Sequence, residues 1–232
     1  MTGKRPAAAL TLLAVALLFC APANAAPPSA AAGQPPVYKP PLRGAPGGRV
    51  GGASRGTVKL VSALPTISLI APDSEAGETT GRAPTLYYYV SGPAAFPFRL
   101  TISAPWQAAP VIETTIPSPH GAGIHRVRLD RYGVRLAPGI LYTWSISAVV
   151  NPLAPSRDVV ASASLLRVAA DPATEEAARI ASPERRAAVL AQAGLWYDAV
   201  AAAADAASGD QAQGLRALMQ QVGLRVPAAL TD

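Results

Sequence analysis

The chain is poor in the residues that most often carry chemistry. It has one cysteine and two histidines in 232 residues, Asp, Glu, Lys and Arg together make up 15%, and aromatic residues only 6%. Cys20, alone, can form neither an intramolecular disulfide nor a thiolate metal cluster, which removes the disulfide scaffolds and the zinc-ribbon class. His120 and His125 flank Gly121-Ala122-Gly123 with no cysteine or acidic side chain beside them, so a tetrahedral metal set lacks ligands. No metal and no cofactor are expected. Long apolar runs are scarce as well, and the clearest, residues 7–19, is shorter than the roughly 20 residues that span a bilayer.

What is present at the N-terminus has the order of a secretory leader. Lys4 and Arg5 precede the apolar run, and Ala23-Asn24-Ala25 supplies the small-x-small pattern that a signal peptidase cleaves. Residues 1–25 therefore read as a signal peptide cut after Ala25, with Cys20 discarded and the mature chain periplasmic or secreted, without a transmembrane segment. The large Phe19 before Cys20 argues against a lipidation site.

Charge is unevenly placed. The formal net charge is +6, but Lys4 and Arg5 leave with the leader, and Lys39, Arg43, Arg49 and Arg55 fall in residues 26–56, which hold no acidic residue. From Thr57 on, 14 basic residues face 14 acidic ones. A neutral body is a poor counter-ion for phosphates, so nucleic acid is not an expected partner. Residues 26–56, dominated by Ala, Pro and Gly, are expected to be a disordered basic linker.

Between residues 57 and 168 short runs rich in Val, Ile, Leu and Tyr alternate with Pro and Gly, the pattern of an all-β domain. Strands are expected near residues 58–61, 66–70, 86–90, 98–103, 111–115, 124–129, 142–149 and 159–168. Tyr142, Trp144, Ile146 and Ala148 share one strand face, and Thr143, Ser145 and Ser147 the other. The stretch from Leu136 through Pro138-Gly139 to Tyr142 is similar to the tyrosine corner of immunoglobulin-like sandwiches, in which the Tyr hydroxyl reaches back to upstream backbone. Pro138, Gly139, Tyr142 and Trp144 are thus expected to be structural, within an immunoglobulin-like antiparallel β-sandwich.

After residue 168 the strand signal stops. Asp171-Pro172 and Ser182-Pro183 read as helix caps, and helices are expected over 183–192, 196–207 and 210–222. Gly194, Trp196, Ala199 and Ala206 sit at tetratricopeptide spacings, which makes residues 169–225 a helical hairpin plus one further helix.

Taken in order, Arg43-Gly44-Ala45-Pro46, the segment 49–56, Leu136 to Trp144, Arg157-Asp158 and Gly194-Leu195-Trp196-Tyr197-Asp198-Ala199 resemble the bacterial family catalogued as domain of unknown function 928. The resemblance implies an exported protein with a β-domain and a C-terminal helical part. It implies no reaction and lends no catalytic residue.

Gly52-Ala53-Ser54-Arg55-Gly56 matches a nucleophile elbow in letters, but it precedes a strand instead of joining strand to helix. Glu175 and Glu176 are adjacent on a helix, about 100° apart, and suit its N-terminal dipole better than paired acid–base work. Arg157 and Asp158 are read as a turn-closing pair or the floor of a ligand site. Tyr88 and Trp106 are expected to offer an aromatic surface, and Trp196 and Tyr197 to be presented to a partner. The expectation for function is an exported, non-enzymatic accessory or binding protein with a protein or cell-envelope partner; the alternative is a serine hydrolase acting on envelope material through Ser54.

Overall fold

The computed structural model describes residues 35–41, 48–52, 64–206 and 212–225, with backbone alone for 48–52. The expected leader, most of the expected linker, Ser54 and the expected strand at 58–61 lie outside these residues. Among the described residues the protein is mixed α and β: two sheets, one of three strands and one of five, with a further strand shared between them, and four helices.

In chain order the strands are β1 (Gly48–Gly52), β2 (Ile67–Leu69), β3 (Gly77–Thr79), β4 (Thr85–Val90), β5 (Phe98–Ser103), β6 (Ile112–Ile116), β7 (Gly123–Arg128), β8 (Leu141–Ala148) and β9 (Val159–Arg167). The helices are α1 (Pro172–Ile180), α2 (Pro183–Gln192), α3 (Trp196–Asp205) and α4 (Ala212–Gln221). β2, β4 and β7 form the smaller sheet, all antiparallel. The larger runs β6-β5-β8-β9, also antiparallel, and β3 joins the far side of β9 in parallel. β1 pairs with β9 through Gly48 and Gly52 and with β2 through Val50, and so ties the two sheets together.

The alternation on β8 has the physical basis expected of it. Tyr142, Trp144, Ile146 and Ala148 are all buried while Thr143 is exposed and Ser145 half-buried, because a pleated strand sends successive side chains to opposite faces; at Ser147 both faces are covered and the alternation ends. Tyr88 of β4 lies 6.2 Å from Phe98 of β5, ring to ring, so the two sheets share one apolar core. That core continues without a break into Trp196, Val200, Leu215 and Leu218 of the helices.

Three expectations need correction. Four helices form where three were expected: α1 follows Asp171, whose carboxylate accepts the Thr174 N–H at 2.9 Å and is held below the usual carboxylate range by Thr174. Its cap was legible, but it buries only Ala178 and so gives little apolar periodicity. β1 and β3 were missed, one being glycine-rich and the other three residues long. Residues 35–41, assigned to a disordered linker, instead lie against α2, α3 and α4. Tyr38 N–H donates to Gln221 Oε1 at 2.7 Å, Gln221 Nε2 donates to Pro36 O at 2.7 Å, and Lys39 N–H donates to Ala191 O at 3.1 Å. The Tyr38 ring meets Trp196 edge-on at 4.8 Å.

Candidate functional site: a cleft held by the start of α3

Three consecutive residues at the start of α3 fasten the helices to the sheets. Neighbours on a helix diverge by about 100°, so each reaches a different element. Trp196 Nε1–H donates to Ile70 O just after β2, at 3.0 Å. Tyr197 Oη accepts the Trp144 indole N–H of β8 and donates to Ser164 O of β9, both at 2.8 Å. Asp198 accepts from Thr79 Oγ1 at 2.6 Å and from the Thr80 N–H and hydroxyl at 2.8 and 3.0 Å. Burial drives the Tyr197 phenol upward from its ordinary value. Gly77 is required opposite it, since a Cβ there would lie 2.5 Å from Tyr197 Cε2.

This corrects the reading of Trp196 and Tyr197 as a displayed pair. Both are fully buried and hydrogen-bonded within the chain. Tyr88 is likewise buried, with its pKa raised by burial, and so is Tyr87. Alternation along β4 failed because both of its faces are covered, one by the larger sheet and the other by α3.

The remaining expected residues fall as follows. Trp106 is exposed at the end of the loop after β5. Arg157 is exposed in a short 3₁₀ turn, while Asp158 is buried and accepts the Val150 N–H at 3.0 Å, closing the loop before β9. Tyr142 Oη accepts the Ala137 N–H at 2.9 Å across the Pro138-Gly139 turn, and Gly139 N–H donates to Arg167 O at 2.8 Å. Glu176 pairs with Arg179 at 2.6 Å and Glu175 is exposed on the same helix. His125 is half-buried, its Nε2 lies 3.3 Å from Gly121 O, and burial lowers its pKa; His120 is exposed. Among the described residues no group of three or more His, Cys, Asp or Glu side chains is placed to hold a metal.

Anchored in this way, α3 forms one wall of a cleft of about 820 Å³ with α1 and α2. Thr80 and Asp198 line it at the sheet end, Ala178, Ala201 and Ala202 give small apolar surface, and Glu175, Arg179, Arg186 and Asp205 place charge of both signs around it. Asp205 also borders a second cavity of about 250 Å³ with Tyr87, Arg126, Arg128 and Asp130. There the Tyr87 phenol is pushed up to about 12, mainly by burial and next by the Asp205 charge. Sequence reasoning found neither cavity. Glu175 and Asp198 stood out locally, but nothing local groups the lining residues, because they come together from the end of β3, β4 and β7 on one side and the helices on the other.

The sequence pattern of the family described as Domain of Unknown Function (DUF928) matches residues 50–230. The chain belongs to the DUF928 family. That span takes in both sheets, the Tyr142 turn and the Trp196-Tyr197-Asp198 anchor. No curated protein matches the chain. A solved structure of Astrotactin-2, a conserved vertebrate-specific and perforin-like membrane protein involved in neuronal development, is similar over 68% of this chain and 28% of that one, at 12% identity and a TM-score of 0.30. A likeness that distant carries no argument about this DUF928 chain, which spans little more than a quarter of the solved one. No helix among the described residues is long and apolar enough to cross a membrane.

Proposed function

We propose that this DUF928 protein is an exported, non-enzymatic binding module of the cell envelope, and that the cleft between α1, α2 and α3 takes an extended segment of a partner protein. The observation that carries the reading is the cleft itself, about 820 Å³, walled by small side chains and ringed by Arg179, Arg186, Glu175 and Asp205. Such a lining suits a main chain carrying charges of both signs better than a small apolar ligand. A second observation supports the peptide chemistry: on α4, outside the cleft, the Gln221 side-chain amide already holds the extended segment 35–41, accepting from Tyr38 N–H and donating to Pro36 O. Rigid support by the sheets favours recognition without a large ordering cost.

Within this reading the two sheets are an immunoglobulin-like sandwich with Tyr142 as its tyrosine corner. The bond from Ala137 N–H to Tyr142 Oη and the burial of Trp144 two places on support that finer assignment. The helical part acts as a platform, with α2 and α3 as its hairpin.

The test is a photo-crosslinking amino acid placed at Ala202 in the cleft and, as control, at Thr115 on the exposed edge of β6, in intact cells. The expected result is a discrete protein adduct from position 202, lost on Arg186→Glu, and none from position 115. Equal adducts from both positions, or turnover of an envelope substrate that disappears with Ser54→Ala, contradicts the proposal.

A further inference from the structure

β5 and β8 pair antiparallel with Ser103 opposite Thr143. The loop leaving β5 and the turn entering β8 therefore emerge at one end of the larger sheet. Neither residues 104–111 nor residues 136–141 include a charged side chain. Trp106, at the loop's tip, is 99% exposed, and Val111 and Leu141 are 39% and 42% exposed.

Trp106 is unusual in a second, independent respect. Its φ is +61°, and it is the one non-glycine among the described residues with positive φ. For a bulky side chain that region is disfavoured, so the loop keeps Trp106 in a backbone conformation that its side chain does not favour. The other two tryptophans, Trp144 and Trp196, are fully buried and hydrogen-bonded.

We propose that this end of the sheet is a lipid-bilayer contact, with Trp106 seated at the boundary between headgroups and acyl chains and Val111 and Leu141 following it. The boundary suits an indole, which has an apolar body and one N–H to satisfy. The loops themselves carry no charge to desolvate, and the cation beside them, Arg167, already donates to Leu136 O and Thr80 O. A sugar-stacking site needs several hydrogen-bonding side chains beside the ring, and the loop offers Gln107 alone. Two short loops bind weakly and reversibly, below the strength of a single myristoyl chain, so the contact orients a protein already near the membrane. The inference stands apart from the cleft reading and uses none of its residues.

The burial of Trp144 and Trp196 makes the test spectroscopic. The intact protein is titrated with phosphatidylcholine vesicles and with mixed phosphatidylcholine–phosphatidylglycerol vesicles, each at low and high salt, following tryptophan emission and its quenching by bromine on the acyl chains. The proposal expects a blue shift and quenching on both vesicle types at both salts, with partitioning, followed for the variants by co-sedimentation with the vesicles, lowered at least about tenfold by Trp106→Ser and largely kept by Trp106→Phe. Three results overturn it: no shift on any vesicle, binding confined to anionic vesicles and lost in salt, or binding that survives Trp106→Ser. Capture of a protein through Trp106 without any vesicle response also overturns it.

Discussion

At the residue scale the molecule turns on Tyr197, whose single hydroxyl satisfies an indole N–H from β8 and a backbone carbonyl of β9. Tyr197→Phe removes the partner of the buried Trp144 indole N–H and the bond to Ser164 O, and is expected to destabilise the fold by about 1–3 kcal/mol, read as a lower urea midpoint at unchanged slope. Tyr142→Phe removes one hydrogen bond, at an exposed turn, and should cost only about 1 kcal/mol. Trp106 runs the other way: Trp106→Gly relieves a positive φ on an exposed side chain and is expected to raise stability by about 1 kcal/mol. The sequence marked the Trp196-Tyr197-Asp198 run as notable but not as buried. Periodicity within a helix shows which face is apolar, and cannot show that indole and phenol find polar partners in strands more than 30 residues away.

At the element scale the strands with alternation were legible, β5 throughout and β8 over its first half, because one buried face imposes a period of two. Segment 35–41 was not. Its Pro-rich composition argues for an extended chain with nothing to bury, yet proline has no N–H, so docking it leaves few amides in need of partners. Tyr38 and Lys39 supply two such amides, and both are satisfied. Gly194 belongs to this contact: its φ is +79°, and a Cβ there would sit 3.1 Å from Lys39 O and 3.4 Å from Pro41 Cδ. Gln221→Ala is expected to free the segment without unfolding the core. Hydrogen exchange should then show the Tyr38 amide losing protection while β8 and β9 keep theirs, and equal loss in β8 would show that the segment is integral to the core.

At the scale of the whole molecule, four tyrosines, Tyr38, Tyr87, Tyr88 and Tyr197, have pKa values raised above 10.0, each chiefly by burial. The folded state therefore holds these protons more tightly than the unfolded state. Their contribution to stability is complete below pH 10 and is lost as pH rises through the folded values. The urea midpoint should fall steeply above pH 10, and Tyr87→Phe should flatten that slope. The cavities belong to this scale as well and were invisible in the sequence, since Thr80 and Asp205 lie far apart along the chain and line one cleft only because the start of α3 is fixed to the sheets.

That attachment supports the cleft reading, because the cleft has a sheet end only if helices and sheets are one body. Differential scanning calorimetry of the full chain tests it most directly. A single transition is expected, with calorimetric and van't Hoff enthalpies in agreement, and it should move to lower temperature as a unit in Tyr197→Phe. Two separable transitions, or a variant in which the helices melt while the sheets stay folded, would contradict it.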